Sequence, residues 1–247
     1  MVKILKSEFY KLKHTYLPHI HIILPIIYAI IFYIMVRITG LKDYASISII
    51  ETYLVLLGAI LPIVCGAITF KVIDMEANAG HFQVLLSTTK SRSKAYGGKL
   101  LLLLIGALFS ISLAILMFSF LFRQQSYIAW VIEGFLLFVG CIATYVIHLW
   151  ISLMIGGSAS IGLGFAETLL ALISMTGLGE KIWYFLPCTW PSRLSATYSV
   201  GSSLADSTYL HDTLSMWLYI AVPMTICILI CSFIWFNKWD GKPYSSD

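Results

Sequence analysis

Charged residues are scarce in this chain. Lys, Arg, Asp and Glu make up 11% of its 247 residues, whereas hydrophobic residues make up 59%. Soluble domains contain roughly 25% charged residues, because their surfaces must interact with water. The length fits one or two soluble domains, but long apolar runs occupy most of it. The composition therefore predicts a single membrane domain.

Motifs that carry catalytic chemistry are also lacking. The nearest approach to a phosphate-binding GxxxxGK[ST] loop is Gly97–Gly98–Lys99, with Ser93 at the first glycine position and Leu100 after the lysine. There is no HExxH, no GxSxG and no basic-aromatic pattern typical of nucleic-acid binding. The five cysteines show no CxxC spacing, so we expect no metal site. We therefore expect that the chain is not an enzyme, has no catalytic residues, binds no cofactor itself and has no nucleic-acid partner.

Six apolar stretches are long enough to cross a membrane. A helix rises about 1.5 Å per residue, so about 20 apolar residues span the ~30 Å hydrocarbon core of a bilayer. The sequence therefore predicts an all-α, polytopic membrane protein. The expected spans are Leu17–Val36, Ile49–Phe70, Leu100–Phe122, Phe135–Ile155, Ser158–Leu178 and Leu214–Phe236.

The basic residues indicate the orientation of these spans. If the N-terminus is cytoplasmic, eleven of the 16 Lys and Arg residues lie on the cytoplasmic side. Short cytoplasmic loops are enriched in Lys and Arg, and an even number of spans brings both termini to one side. We therefore predict a multi-pass protein with its N- and C-termini in the cytoplasm.

Residues 1–16 are predicted to form an amphipathic interfacial helix before the six-span domain, residues 17–247. Lysines occupy the polar faces, which suits the headgroup layer of an anionic inner leaflet and makes membrane lipid an expected partner. An ordinary basic flank before the first span is the alternative. The apolar face consists of Val2, Leu5, Phe9, Leu12 and Tyr16.

Two connections between spans carry further patterns. Residues 74–94 are predicted to form a cytoplasmic helix and basic loop, with Asp74 as its N-cap and Glu76 in its first turn. This element could dock on a soluble partner, or it could be a solvated loop kept inside by its positive charge. On the outer side, the apolar patch Ile182–Leu186 within residues 179–213 predicts short helices that dip into the interface.

Ionisable residues within spans are costly in lipid and are therefore candidates for function. His148 and Glu167 flank the turn Gly156–Gly157 at depths that differ by about 3 Å, so they could pair across a helical hairpin. Such a pair could line a substrate path, contact a partner or form a structural hydrogen bond. Glu51 and Glu133 lie near the predicted outer ends of spans, where we expect water to solvate them.

This layout resembles the permease subunits of ABC-2 type transporters, which have a type V exporter-like fold with an amphipathic elbow helix before the first span. A more specific resemblance lies in Asp74–Ser87, DMEANAGHFQVLLS, which continues to Ser91–Arg92–Ser93–Lys94. This stretch is similar to the E-x-x-x-G-x-F-Q-x-L-L-S…S-R region of lantibiotic-immunity permeases of the MutG/EpiG type.

The resemblance implies a permease of a bacterial cell membrane that pairs with a second permease over a dimer of ATP-binding cassette subunits, which bind ATP and Mg²⁺. The complex would expel a lantibiotic, an antimicrobial peptide, and so protect the producing cell. Alternatives are an ABC-2 exporter for another amphipathic drug, lipid or ion, an intramembrane enzyme that uses His148 and Glu167, and a membrane sensor or scaffold. The residues that would couple to the ATPase are Asp74, Glu76, Gly80, Phe82, Gln83 and Arg92.

Overall fold

The computed structural model of the protein describes residues 2–13, 15–78, 82, 91–204 and 206–241. These residues form helices and turns, with no strand among them. Short 3-10 turns lie at Gly40–Asp43, Gly177–Gly179, Trp183–Phe185 and Pro187–Thr189. The α-helices in this part of the chain are α1 (Val2–Leu12), α2 (Leu17–Ile38), α3 (Ser46–Asn78), α4 (Arg92–Leu121), α5 (Tyr127–Met154), α6 (Gly157–Ser174), α7 (Trp190–Gly201) and α8 (Thr208–Lys238).

Six of the described helices, α2 to α6 and α8, are long and apolar enough to cross a membrane. The prediction of a multi-pass, all-helical protein with six spans is therefore confirmed. Successive spans run in opposite directions, so α1 lies at the same end of the bundle as the end of α3, the start of α4 and the end of α8. We call this the α1 end and the opposite one the far end.

The third helix is longer than the sequence predicts. It has 33 residues and continues past Phe70 to Asn78. Asp74 therefore lies inside α3, and the expectation that it is the N-cap of a separate helix is wrong. No glycine or proline interrupts the segment after Phe70, and Val72 and Ile73 are buried against neighbouring helices, so the helix has a reason to continue.

Helices α3 and α5 form the centre of the bundle. Their most apolar windows are 61% and 67% buried, whereas those of α2 and α8 are 22% and 17% buried. Helix α3 packs against α5, α6 and α7, and α2 packs mainly against α4. The outer faces of α2 and α8 are thus left apolar and exposed, which is what lipid contact requires.

Glycines allow α3 and α6 to pack closely. A Cβ atom on Gly164 of α6 would lie 2.8 Å from the carbonyl oxygen of Pro62 and 2.9 Å from the Cα of Ile63. Such close approach between backbones is the usual role of small residues between membrane helices. The turn between α5 and α6 also needs a glycine, since Gly156 has a φ of 137°.

Helix α7 is a short, Ser-rich helix buried inside the far half of the bundle. Its first turn contacts α3 and α5 where Gly58 and Gly140 lack side chains: a Cβ on Gly140 would lie 2.8 Å from the nitrogen of Pro191. At its other end, Ser199 donates a hydrogen bond to Glu133 of α5 at 2.8 Å. Residues 179–213 therefore contain a 3-10 turn in the apolar patch, where Ile182 and Phe185 are more than half exposed, and further on a buried helix that hydropathy did not predict.

Candidate functional site

Four ionisable side chains from three helices meet at the α1 end. The ammonium group of Lys99 in α4 donates hydrogen bonds to Glu8 Oε2 and Glu76 Oε1, each at 2.8 Å. Lys11 in α1 donates to Glu8 Oε1 and to the same Glu76 Oε1, each at 2.7 Å. We call Glu8, Lys11, Glu76 and Lys99 the ion cluster. It joins α1 to the end of α3 and the start of α4.

The ion cluster is largely shielded from water. Lys99 is 1% exposed, and Glu8 and Glu76 are each 6% exposed. Two carboxylates and two ammonium groups balance in charge, which makes their burial tolerable. Loss of one partner from such a cluster costs about 3–5 kcal/mol, because it leaves a buried charge unpaired.

Lys11 is the most accessible member of the cluster, and its protonation reflects its partners. Partial burial alone would lower the pKa of Lys11, but its hydrogen bonds to Glu76 and Glu8 outweigh that effect. The pKa of Lys11 is therefore raised above its ordinary value of 10.5. Lys11 therefore stays protonated throughout the physiological pH range.

The ion cluster buries part of the polar face of α1 and leaves apolar residues of the helix exposed. Glu8 is its buried residue, whereas Val2 and Phe9 are 81% and 45% exposed. Helix α1 approaches α4 closely at Gly98, where a Cβ atom would lie 2.6 Å from Ile4 Cγ2. The sequence alone does not single out Glu8, because its pairing with Lys99 joins segments that are distant in the chain. The helix also ends at Leu12, so Tyr16 lies outside it.

Two further predicted coupling residues contact the C-terminal end of α8. Phe82 is buried and packs edge-on against the ring of Trp239, with 5.1 Å between ring centroids. The Arg92 guanidinium donates to the carbonyl oxygens of Asn237 and Trp239 at 3.1 and 2.8 Å, and to Asp240 at 3.0 Å. A cation on the free carbonyls of a helix C-terminus stabilises that end of the helix.

Of the remaining predicted coupling residues, the structure describes Asp74 alone. Asp74 is partly exposed and lies 3.5 Å from Lys71, one turn earlier in α3. Gly80 and Gln83 lie outside the described residues, so their roles stay predictions. The structure thus brings Glu76, Phe82 and Arg92 to the same end of the bundle, where Glu76 contacts α1 and α4, and Phe82 and Arg92 contact the end of α8.

Within the membrane-spanning part, the structure brings His148 and Glu167 together. The distance from His148 Nε2 to Glu167 Oε2 is 2.9 Å, and the second ring nitrogen, Nδ1, lies 2.7 Å from Ser160 Oγ. Ser160 was not anticipated. These contacts tie α5 to α6 on both sides of the Gly156 turn.

A Ser, His and Glu in one hydrogen-bonded chain is also the residue set of some hydrolases. A nucleophile must reach its substrate, but Ser160 and His148 are each 0% exposed. Both polar atoms of the imidazole are already bonded, which satisfies a buried histidine fully. The arrangement therefore fits a structural contact between α5 and α6 better than catalysis. Among the described residues, no group of three or more His, Cys, Asp and Glu side chains could hold a metal ion.

Glu133 corrects another expectation. It is 1% exposed rather than solvated, and Ser199 of α7 donates a hydrogen bond to one of its carboxylate oxygens. The re-entry of α7 into the bundle covers this end of α5, which hydropathy alone does not reveal. Glu51, by comparison, remains partly exposed.

Comparisons with protein-family models, with curated proteins and with solved structures find no significant match to this chain. The functional interpretation therefore depends on the chain itself: its six spans, its ion cluster and the sequence resemblance of residues 74–94.

Proposed function

We propose that this chain is the transmembrane permease subunit of an ABC-2 type exporter, driven by ATP hydrolysis on a separate ATP-binding cassette subunit. The observation that carries the proposal is the ion cluster. It fastens α1 and the start of α4 to the end of α3, the helix that leads into residues 79–90. A motion imposed on that segment would therefore move three helices together.

In this proposal the predicted coupling residues have two different tasks. Glu76 is a positioning residue, because its carboxylate is buried among lysines of the same chain. Arg92 and Phe82 are also positioning residues, because each contacts the end of α8. Asp74, Gly80 and Gln83 are the residues we assign to direct contact with the ATPase. ATP binding would pull this region and rock the permease against a second permease subunit.

The proposed substrate is a lantibiotic, which the complex would remove from the bacterial cell membrane before it damages the producing cell. The support is the similarity of residues 74–94 to lantibiotic-immunity permeases. Another amphipathic substrate, such as a drug, lipid or ion, is the second candidate within the same class. A sensor or scaffold without transport would share the six spans but would need no ATPase.

Co-purification tests the proposal. The tagged chain is expressed with its genomic neighbours, extracted in mild detergent and assayed for ATP hydrolysis. We expect it to bring down an ATP-binding subunit and a second six-span permease, with vanadate-sensitive activity. A folded chain that elutes alone and inactive would contradict the proposal. Tolerance of cells to lantibiotics, measured with and without the intact complex, then distinguishes peptide export from export of another substrate.

A further inference from the structure

An apolar groove opens beside the ion cluster, between α1, α2, α3 and α4. Its volume is about 360 Å³, and its walls include Val72, Leu102 and Ile105. Ile22 and Phe109 line it as well and are 44% and 50% exposed, so the groove is open to the surroundings of the bundle. An apolar cavity of ~150 Å³ already takes up benzene. This groove is large enough for a substantial part of a hydrocarbon chain.

A basic surface continues from the groove along α1. Lys13 and Phe9 line the groove and also a second, more open cavity, whose other lining residues include Lys3 and Lys6. The described residues that line the two cavities include no acidic side chain. Glu8, the nearby acid on α1, is bound by Lys11 and Lys99 instead. The three lysines therefore present a net positive charge, with Lys13 at the groove and Lys3 and Lys6 at the cavity that shares Lys13 and Phe9 with it.

An apolar groove with lysines beside it matches one class of ligand. In a phospholipid with an anionic headgroup, the acyl chain can fill the groove and the phosphate can bind the lysines. Lysines near a membrane surface attract anionic lipids, and each contributes about as much as a fivefold gain in affinity. A soluble anion would leave the apolar walls unfilled, and a zwitterionic lipid would gain little from the lysines.

We propose that this groove and the lysines Lys3, Lys6 and Lys13 form a specific site for one anionic phospholipid of the leaflet at the α1 end. The lipid chain would lie between α2 and α4, and the headgroup would bind α1. The bound lipid would thus hold α1 on the bundle together with the ion cluster. This site does not depend on the proposed transport function.

Native mass spectrometry of the full chain in mild detergent tests the site. The protein is titrated with phosphatidylglycerol and with phosphatidylcholine of the same chain length. We expect one phosphatidylglycerol to bind first and several-fold more tightly than phosphatidylcholine. Lys13→Gln should weaken phosphatidylglycerol binding about fivefold, whereas Lys94→Gln, at an exposed lysine of α4 outside the groove, should leave it unchanged.

A second pair of variants tests the groove itself. Ile22→Trp places a large ring in the groove and should reduce binding of both lipids. Ile23→Trp, at a neighbouring position that is 51% exposed, should leave binding unchanged. Equal affinities of wild-type protein for the two lipids, or equal effects of Lys13→Gln and Lys94→Gln, would overturn the proposal. Displacement of the lipid by inorganic phosphate alone would overturn it too. Because Lys13 is exposed, its replacement remains informative even if Ile22→Trp fails to fold.

Discussion

Lys99 and Glu8 lie 91 residues apart in the chain, yet the ammonium nitrogen of one is 2.8 Å from a carboxylate oxygen of the other. The pair connects α1 to the first turns of α4 and is buried at 1% and 6% exposure. Since Glu76 accepts a second hydrogen bond from the same lysine, the end of α3 belongs to the same unit. The position of α1 and the position of α3 are therefore linked.

Replacement of Lys99 by Met should release α1. The change leaves Glu8 and Glu76 with only Lys11 between them, so we expect a loss of about 3–5 kcal/mol in stability and faster hydrogen exchange along α1. Thermal unfolding in detergent and exchange mass spectrometry measure these effects. Lys94→Met is the control on the same helix, and unchanged exchange of α1 in Lys99→Met would contradict the linkage.

The ion cluster should also respond to alkaline pH. The pKa of Lys11 is raised in the folded protein, so its contribution is fully present below the unfolded pKa of about 10.5 and is lost as pH rises through the higher folded pKa. The difference in thermal midpoint between wild type and Lys11→Met should stay constant up to that pH and then shrink. A difference that already vanishes in neutral buffer would rule out this explanation.

The contact between His148 and Glu167 is expected to act on stability alone. A double-mutant cycle with His148→Leu and Glu167→Leu should give a coupling of about 0.6 kcal/mol and no more than about 1.7 kcal/mol, the average and the maximum found for polar contacts between membrane helices. Denaturation in mixed detergent micelles measures it. His211→Leu, at a histidine whose side chain is 80% exposed, is the control. If transport is lost while stability is unchanged, the contact is functional and the structural interpretation fails.

Two glycines of α6 provide a matched test of its packing on α3. Gly164→Ala puts a methyl group 2.8 Å from the Pro62 carbonyl oxygen and should destabilise the protein by about 1–3 kcal/mol. Gly162→Ala meets no atom within 4 Å and should be neutral or stabilising, since alanine favours a helix. The thermal midpoint of each variant measures the effect. Equal midpoints for Gly164→Ala and Gly162→Ala would contradict the described packing.

Hydropathy was sufficient to predict the spans, and counting residues from a tight turn was sufficient to bring His148 near Glu167. Both arguments use quantities local to one segment or one hairpin. The burial of Glu8 could not be predicted that way. Its negative charge becomes tolerable only because Lys99, from a distant segment, lies against it, and the sequence alone suggested lipid contact for the other face of α1.

The same limit explains Glu133 and the end of α3. Glu133 lies near the end of its span, where hydropathy predicts solvation, but α7 folds back and covers it. Helix α3 continues to Asn78 because α1 and α4 supply partners for Glu76, so an apolar boundary at Phe70 does not end the helix. The coupling role of residues 74–94 depends on a partner chain, and the fold of one chain does not determine it.

Site-specific photo-cross-linking tests the central claim, that the α1 end is the face on which an ATPase subunit docks. A photoreactive residue replaces Lys94, exposed at the start of α4, or Tyr127, which is 85% exposed at the far end. Cells that express the chain with its genomic neighbours are then irradiated. The account predicts a cross-link to an ATP-binding subunit from position 94 and none from position 127. A cross-link from position 127 alone, or from neither position in a complex that co-purifies, would contradict it.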